Sequence, residues 1–127
     1  MRREDYVSLN VAKMLKEKGY KEICTGCYRN EEFMNISSFN DADMFGGDFY
    51  AAPNLYEAQK WIWRSHKMLV TASIKAPFGQ PYEFIYCIQD AKNTIDDYGT
   101  IVSDKPFDTY EEALNAGILE ALKLICL

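Results

Sequence analysis

Few residues of this chain could carry out chemistry, and the most closely spaced pair is in Cys24-Thr-Gly-Cys27. A C-x-x-C supplies half of a zinc site or a redox pair, but zinc needs two further ligands, normally a second close pair. The other candidates, His66, Cys87 and Cys126, are isolated in the sequence. A redox pair normally precedes a helix, whereas a strand is expected here. In a strand, two residues that are three positions apart have their side chains on opposite faces, so the two thiols would point apart. We therefore predict reduced, unligated thiols.

The remaining motifs do not complete a catalytic, cofactor or metal site. His66 is the single histidine. No nucleophile or orienting acid lies at a sequence spacing from His66 that would indicate a catalytic pair. The run that starts at Asp41 is similar to the start of a calcium loop, but Phe45 and Ala52 stand where oxygen ligands belong. The chain has no nucleophile elbow and no phosphate-binding glycine loop. The sequence favours a protein that is not an enzyme and predicts no catalytic residue, cofactor or metal.

A capped amphipathic helix in mid-chain is the element around which the rest is expected to pack. Pro53 turns the chain, and Asn54 is a strong N-cap type. Glu57, three residues later, completes a capping box. The periodicity places an apolar stripe toward the core, with Trp61 at its edge. The residues of this stripe are Leu55, Ala58, Ile62 and Ser65.

The opposite side of this helix is the predicted binding surface. Tyr56 and Trp63 are seven residues apart and so share a face away from the core stripe, flanked by Lys60, Arg64 and Lys67. Aromatic and arginine side chains dominate binding hot spots. We expect either a protein partner, with a homodimer first, or a small anionic ligand such as a nucleotide. The acidic segments 41–48 or 90–97 of a second copy could meet the cations. In the alternative arrangement, residues 40–50 cover the rings and make them core.

The other periodic segments predict one α+β domain spanning residues 1–127. Helices are expected over residues 5–18 and from Thr109 onward, where Glu112 repeats the capping-box spacing. Strands are expected at 20–28, 33–39, 68–75, 82–89 and 98–103. The predicted fold is an antiparallel sheet of four or five strands with three helices packed mainly on one face. The predicted core residues are Val11, Leu15, Leu55, Ile62, Phe84, Ile118 and Ala121.

Composition and charge narrow the classes of partner. The net charge is −5, which argues against nucleic-acid binding, since that needs dense cationic surface. The charge is uneven: residues 56–75 carry four basic groups and one acidic group, whereas acids concentrate in 31–48 and 83–112. No apolar run approaches the roughly 20 residues that span a membrane, and the start of the chain has no apolar signal region. We expect an intracellular, cytoplasmic protein with no membrane contact.

Two helix-forming runs carry a resemblance to a known group of proteins. Ala-Pro-Asn-Leu-Tyr-Glu-Ala-Gln-Lys-Trp-Ile in mid-chain is joined by a terminal Phe-Asp-Thr-Tyr-Glu-Glu-Ala-Leu-Asn-Ala-Gly-Ile-Leu-Glu-Ala-Leu. Together they resemble small uncharacterised proteins from phages and mobile elements of gut Bacteroidales bacteria. The resemblance implies a bacterial or phage setting inside the cell, and it assigns no functional residue.

Overall fold

The computed structural model describes residues 3–22, 24–39, 49–75, 83–91 and 100–125. Within these ranges a short 3₁₀-helix, Arg3–Asp5, precedes three α-helices and six β-strands. The helices are α1 (Leu9–Glu17), α2 (Leu55–His66) and α3 (Tyr110–Leu124). The strands are β1 (Cys24–Arg29), β2 (Glu32–Phe39), β3 (Phe49–Ala51), β4 (Met68–Ile74), β5 (Phe84–Asp90) and β6 (Thr100–Val102). The α+β class is therefore confirmed.

Helix α2 begins and ends through local backbone chemistry. The Asn54 side chain accepts from the Glu57 backbone N–H at 2.8 Å, and the Glu57 carboxylate accepts from the Asn54 backbone N–H at 3.3 Å. The predicted capping box is thus confirmed, and it satisfies two donors that the first helical turn leaves without partners. At the other end Lys67 adopts the left-handed conformation, with φ of 57°, and its N–H donates to the Trp63 carbonyl. This cap turns the chain directly into β4.

The strands form two three-stranded antiparallel sheets, ordered β2-β1-β3 and β4-β5-β6. The prediction of one sheet with four or five strands was wrong. Each sheet is assembled from strands on one side of α2 in the sequence, because short connections pair neighbouring strands first. Asn30 and Glu31, both with positive φ, link β1 to β2 in the two-residue turn that suits a hairpin. The added strand β3 returns to β1 and does not extend the second sheet.

Several predicted segments lie wholly or partly outside the described residues. They include the run similar to a calcium loop, the acidic segment 41–48 and most of the acidic segment 90–97. The predicted first helix at 5–18 is shorter in the structure. It starts after Ser8, whose hydroxyl accepts from the Val11 N–H, and residues 3–5 form the separate 3₁₀-helix.

One hydrophobic cluster joins the three helices to both sheets. Six of the seven predicted core residues are buried, while Phe84 is only half-buried. Ser65, predicted on the core stripe of α2, is exposed, since the helix ends one residue later. Helix α3 crosses the second sheet at Gly117, where an added Cβ would lie 2.8 Å from Tyr86 Cβ. The absence of a side chain at Gly117 therefore allows α3 to approach this sheet closely.

Candidate contact surface on helix α2 and the adjoining groove

The outer side of α2 carries the two aromatic rings that the sequence placed there. Because α2 turns Leu55, Ala58 and Ile62 into the core, the residues on its far side face solvent. The side chain of Tyr56 is 65% exposed and that of Trp63 is 41% exposed. The expectation that both rings are at least partly exposed is confirmed, and no described residue covers them enough to make them core.

Each ring is paired with the lysine four residues farther along the chain. The Lys60 Nζ lies 5.6 Å from the centroid of the Tyr56 ring, and the Lys67 Nζ lies 5.4 Å from that of Trp63. Exposed cation–π contacts of this kind contribute about 0.5–1 kcal/mol each. We call Tyr56, Lys60, Trp63, Arg64 and Lys67 the aromatic–basic face.

A groove of about 560 Å³ runs along one side of the aromatic–basic face, and we call it the α2 groove. It contains three of the predicted residues, Tyr56, Lys60 and Arg64, whereas Trp63 and Lys67 lie outside it. The structure therefore splits the predicted site into a groove wall and an exposed ridge. The residues that line the groove are Tyr20, Glu22, Asn54, Tyr56, Glu57, Lys60, Trp61 and Arg64.

Five of the eight groove residues were not among the predicted site residues, and two of these five come from the segment after α1. Tyr20 is buried and packs edge-on against Trp61, with ring centroids 5.4 Å apart. Glu22 follows on the same segment. The only sequence signal for this contact was the position of Trp61 at the edge of the core stripe. That position indicates that the Trp61 ring packs against another part of the chain, but it does not identify Tyr20 as the partner.

The charges along the α2 groove nearly cancel. Lys60 and Arg64 supply two cations, and Glu22 and Glu57 supply two carboxylates. The Glu57 carboxylate is already engaged by the Asn54 backbone N–H. Because these charges nearly cancel, the groove has no strong positive potential that would attract an anion. Single ion contacts at a surface in water are also weak. The groove offers aromatic walls from Trp61 and Tyr56 and the guanidinium of Arg64 as a directional donor.

The residues considered for metal or redox chemistry lie apart from this surface. Cys27 is fully buried, and burial raises the pKa of its thiol above the ordinary value of 9.0 in spite of the nearby Arg29 charge. A buried, protonated thiol is a poor nucleophile and a poor metal ligand. The register shift between Cys24 and Gly26 interrupts the alternation of β1, so the opposite-face argument stays a prediction. His66 packs edge-on against Trp61, with centroids 5.3 Å apart.

Metal ligands are not clustered in the described ranges. Among those residues, no group of three or more His, Cys, Asp or Glu side chains could hold an ion. Cys87 is half-buried on β5, and Cys126 lies beyond the last described residue. That the four thiols are reduced and unligated stays a prediction.

We expect stability to fall at alkaline pH because buried acids must ionise. Tyr28 donates its hydroxyl to the Val7 carbonyl at 2.8 Å, and burial raises its pKa above the ordinary 10.0. Between the unfolded and folded pKa values the unfolded chain binds fewer protons, so the free energy of unfolding drops as pH rises. Cys27 acts in the same direction. Urea melts at about pH 8 and about pH 11 measure the loss.

The variant Tyr28→Phe separates this effect from general alkaline damage. It should cost stability near neutral pH, because the buried Val7 carbonyl loses its donor, and it should also flatten the alkaline slope. The control is Tyr56→Phe, which removes a hydroxyl from an exposed tyrosine and should leave stability near neutral pH unchanged. An identical slope in Tyr28→Phe and the natural protein would contradict the assignment.

No protein-family model, curated protein or solved structure matches this chain. The resemblance to phage and mobile-element proteins stays a prediction for that reason. Among the described residues, no helix combines the length and apolar character needed to cross a membrane.

Proposed function

We propose that the protein is a non-enzymatic interaction protein of phage or mobile-element type, acting in the bacterial cytoplasm through the aromatic–basic face of α2. The observation that carries the proposal is the exposure of Tyr56 and Trp63 on one helix face, each with a lysine against its ring. Aromatic rings give large contact areas at low cost in side-chain entropy and dominate binding hot spots. The positive charges of the two lysines favour a partner whose contact surface has a negative electrostatic potential.

A second copy of the chain is the first partner to test. The net charge of −5 means that each copy carries an excess of acids that could meet the cations of the aromatic–basic face. The segment 90–97 supplies fewer of them than its sequence indicates, because Asp90 is buried at the end of β5. Asp96, Asp97 and the acids of 41–48 lie outside the described residues and remain the proposed counterparts.

The test is the double change Tyr56→Ala with Trp63→Ala, measured by sedimentation velocity over a range of protein concentrations. Both rings are exposed, so we expect the variant to stay folded and to lose self-association. Raising the salt concentration should weaken association of the natural protein, since charges on the surface are screened within about 10 Å at 0.1 M salt. The matched control is Leu69→Ala with Val102→Ala, two exposed apolar residues of the second sheet.

Three outcomes bear on the proposal. Unfolding of the double variant would mean that the rings are core and would remove its basis. A natural protein that stays monomeric at all concentrations would exclude the homodimer. Equal loss of association in the variant and in the Leu69 and Val102 control would show that the contact surface is not specific to α2.

The second candidate function is a binder of a small anionic ligand such as a nucleotide, and the observations that favour it are the aromatic walls of the α2 groove and the Arg64 side chain in its lining. Trp61 and Tyr56 could stack on a base, and Lys60 with Arg64 could contact phosphate. Trp63 separates the two functions because it lies outside the groove. Titration with ATP should be weakened by Arg64→Ala and unchanged by Trp63→Ala if the groove is the site, whereas Trp63→Ala alone should weaken self-association.

A further inference from the structure

The rings and lysines of the aromatic–basic face alternate along one stripe of α2, at spacings of four, three and four residues. We call this the outer stripe, and it consists of Tyr56, Lys60, Trp63 and Lys67. Lys67 is the left-handed cap of the helix, but its ammonium contacts the Trp63 ring and so lies on the same side. We propose that the outer stripe pairs with the outer stripe of a second copy, with the two α2 helices antiparallel.

The order ring, lysine, ring, lysine is self-complementary in this arrangement. A dimer with two-fold symmetry uses the same patch on both copies, so every contact occurs twice. A two-fold axis across the middle of the outer stripe, between Lys60 and Trp63, exchanges the two ends of the stripe. Tyr56 then meets Lys67 of the second copy, and Trp63 meets Lys60 of the second copy. Every ring thus faces an ammonium group, and every ammonium group faces a ring.

This pairing gives each lysine a second aromatic ring. In the single chain the Lys60 Nζ lies 5.6 Å from the Tyr56 ring centroid, and the Lys67 Nζ lies 5.4 Å from that of Trp63. In the pair, each ammonium lies between a ring of its own helix and a ring of the other. The face of an aromatic ring is the negative part of its quadrupole. The second copy therefore presents the negative potential that the lysines favour, and the contact needs no acidic segment.

Two opposite charges beside the outer stripe also select the antiparallel direction. Glu57 and Arg64 are seven residues apart and lie on one flank of α2, since both line the α2 groove. Antiparallel pairing joins equal flanks with their ends exchanged, so Glu57 of each copy lies next to Arg64 of the other. The capping bond of Glu57 uses its Oε1 atom, and its second oxygen can accept from the guanidinium. Parallel pairing instead places like charges side by side, which opposes association.

The charges around the contact are balanced, and the contact itself is small. Each copy brings the three cations of the aromatic–basic face together with three carboxylates: Glu57 on α2, Glu22 in the α2 groove and Glu111 in a second groove beside Tyr56. Two copies therefore do not bring together surfaces of strong like charge. Helix α2 has 12 residues and is about 18 Å long. One face of such a helix covers less than the roughly 800 Å² per partner of a standard interface, so the dimer is weak and reversible.

This inference rests on the proposed function, because it names the surface that a second copy presents to the aromatic–basic face. Its test exchanges the charges of the contact between Glu57 and Arg64 and measures self-association by sedimentation velocity. Glu57→Arg makes both symmetric contacts repulsive, so we expect the Kd to rise about tenfold or more. Contact with an acidic segment would instead be strengthened by the added cation. Arg64→Glu should weaken self-association to a similar extent as Glu57→Arg.

An equimolar mixture of Glu57→Arg and Arg64→Glu should restore association to within about threefold of the natural protein, because each contact again joins opposite charges. Glu57→Arg also removes the capping bond to the Asn54 N–H. The matched control is Glu112→Arg, which makes the same charge change at the corresponding position of α3 and removes the acceptor of the Thr109 hydroxyl. This control should leave self-association unchanged.

A second measurement uses the natural protein and needs no variant. In a mixture of isotope-labelled and unlabelled chains, filtered NOEs should connect the Trp63 ring of one copy to the Lys60 side chain of another. Absence of these NOEs, undiminished association in Glu57→Arg, or a mixture as weak as its two components would each overturn the antiparallel pairing.

The double change Tyr56→Ala with Trp63→Ala tells failure of this inference from failure of the proposed function. If the double variant loses association while the charge exchange or the NOEs fail, the contact surface stands and only the pairing of the outer stripes is wrong. A natural protein that stays monomeric at all concentrations would overturn both the pairing and the proposed homodimer.

Discussion

We expect the change Ile62→Ala to lower the free energy of unfolding by about 2–5 kcal/mol, the range measured for large-to-small changes in packed cores. Ile62 is fully buried on the inner face of α2, within the cluster that includes Val70 of β4 and Ile118 of α3. Removal of its side chain leaves a cavity where α2, β4 and α3 meet, and fixed elements on all sides limit collapse. A urea melt of the natural and variant proteins measures the difference.

The control for this prediction is Ile74→Ala, which makes the same chemical change at a residue that is 47% exposed. There we expect a change within about 0.5 kcal/mol, as for surface substitutions generally. Similar losses at the two positions, or none at Ile62, would mean that α2 does not turn this face to the core. The comparison also tests the exposure of Tyr56 and Trp63, because the rotation of α2 about its axis sets the positions of Ile62, Tyr56 and Trp63 together.

The helices were predictable because their signals are local. Asn54 with Glu57, and Thr109 with Glu112, mark the starts of α2 and α3, and in each pair the first side chain accepts from the N–H three residues later. Only α2 forms the full reciprocal box; in α3 the Glu112 carboxylate accepts from the Thr109 hydroxyl instead. The exposure of Tyr56 followed from the same local periodicity. When the apolar face of a helix packs on the core, the side chains on its opposite face point to solvent.

The sheet arrangement was not predictable from the same signals. Alternation at 68–75 and 82–89 predicted two strands, and in the structure β4 and β5 pair in antiparallel orientation. Alternation does not say where β3 goes, however, because that depends on packing between distant segments. The partial exposure of Phe84 has the same origin: it lies near the open end of β5, where it bridges to Phe107 and meets Tyr110. The alternating pattern of β5 indicated on which face of the strand Phe84 lies, but not how deeply its side chain is buried.

The α2 groove was not predictable for a similar reason. It needs Tyr20 and Glu22 beside α2. These two residues are far from α2 in the chain, and no spacing rule connects them to it. The groove residues that stood out in the sequence, such as Tyr56 and Lys60, are all on α2 itself.

A glycine that the sequence did not single out gives the second large effect. We expect Gly26→Ala to lower the free energy of unfolding by about 1–3 kcal/mol through overpacking. A Cβ added to Gly26 would lie 2.5 Å from the Ala52 carbonyl oxygen and 2.8 Å from Tyr6 Cδ1. Neither neighbour is a flexible side-chain end. The Ala52 N–H donates to the Gly26 carbonyl at 2.9 Å, so the two backbones cannot separate without losing this bond.

The same contact supplies a local measurement beside the urea melt. In Gly26→Ala the backbone of Ala52 must move away, so hydrogen exchange at the Ala52 amide should quicken more than at the amides of α3. The control is Gly19→Ala, where the added Cβ meets nothing within 4 Å and only the positive φ of 95° is strained. That control should lose stability without selective exchange at Ala52. Unchanged exchange and stability in Gly26→Ala would show that β1 does not approach the start of α2 this closely.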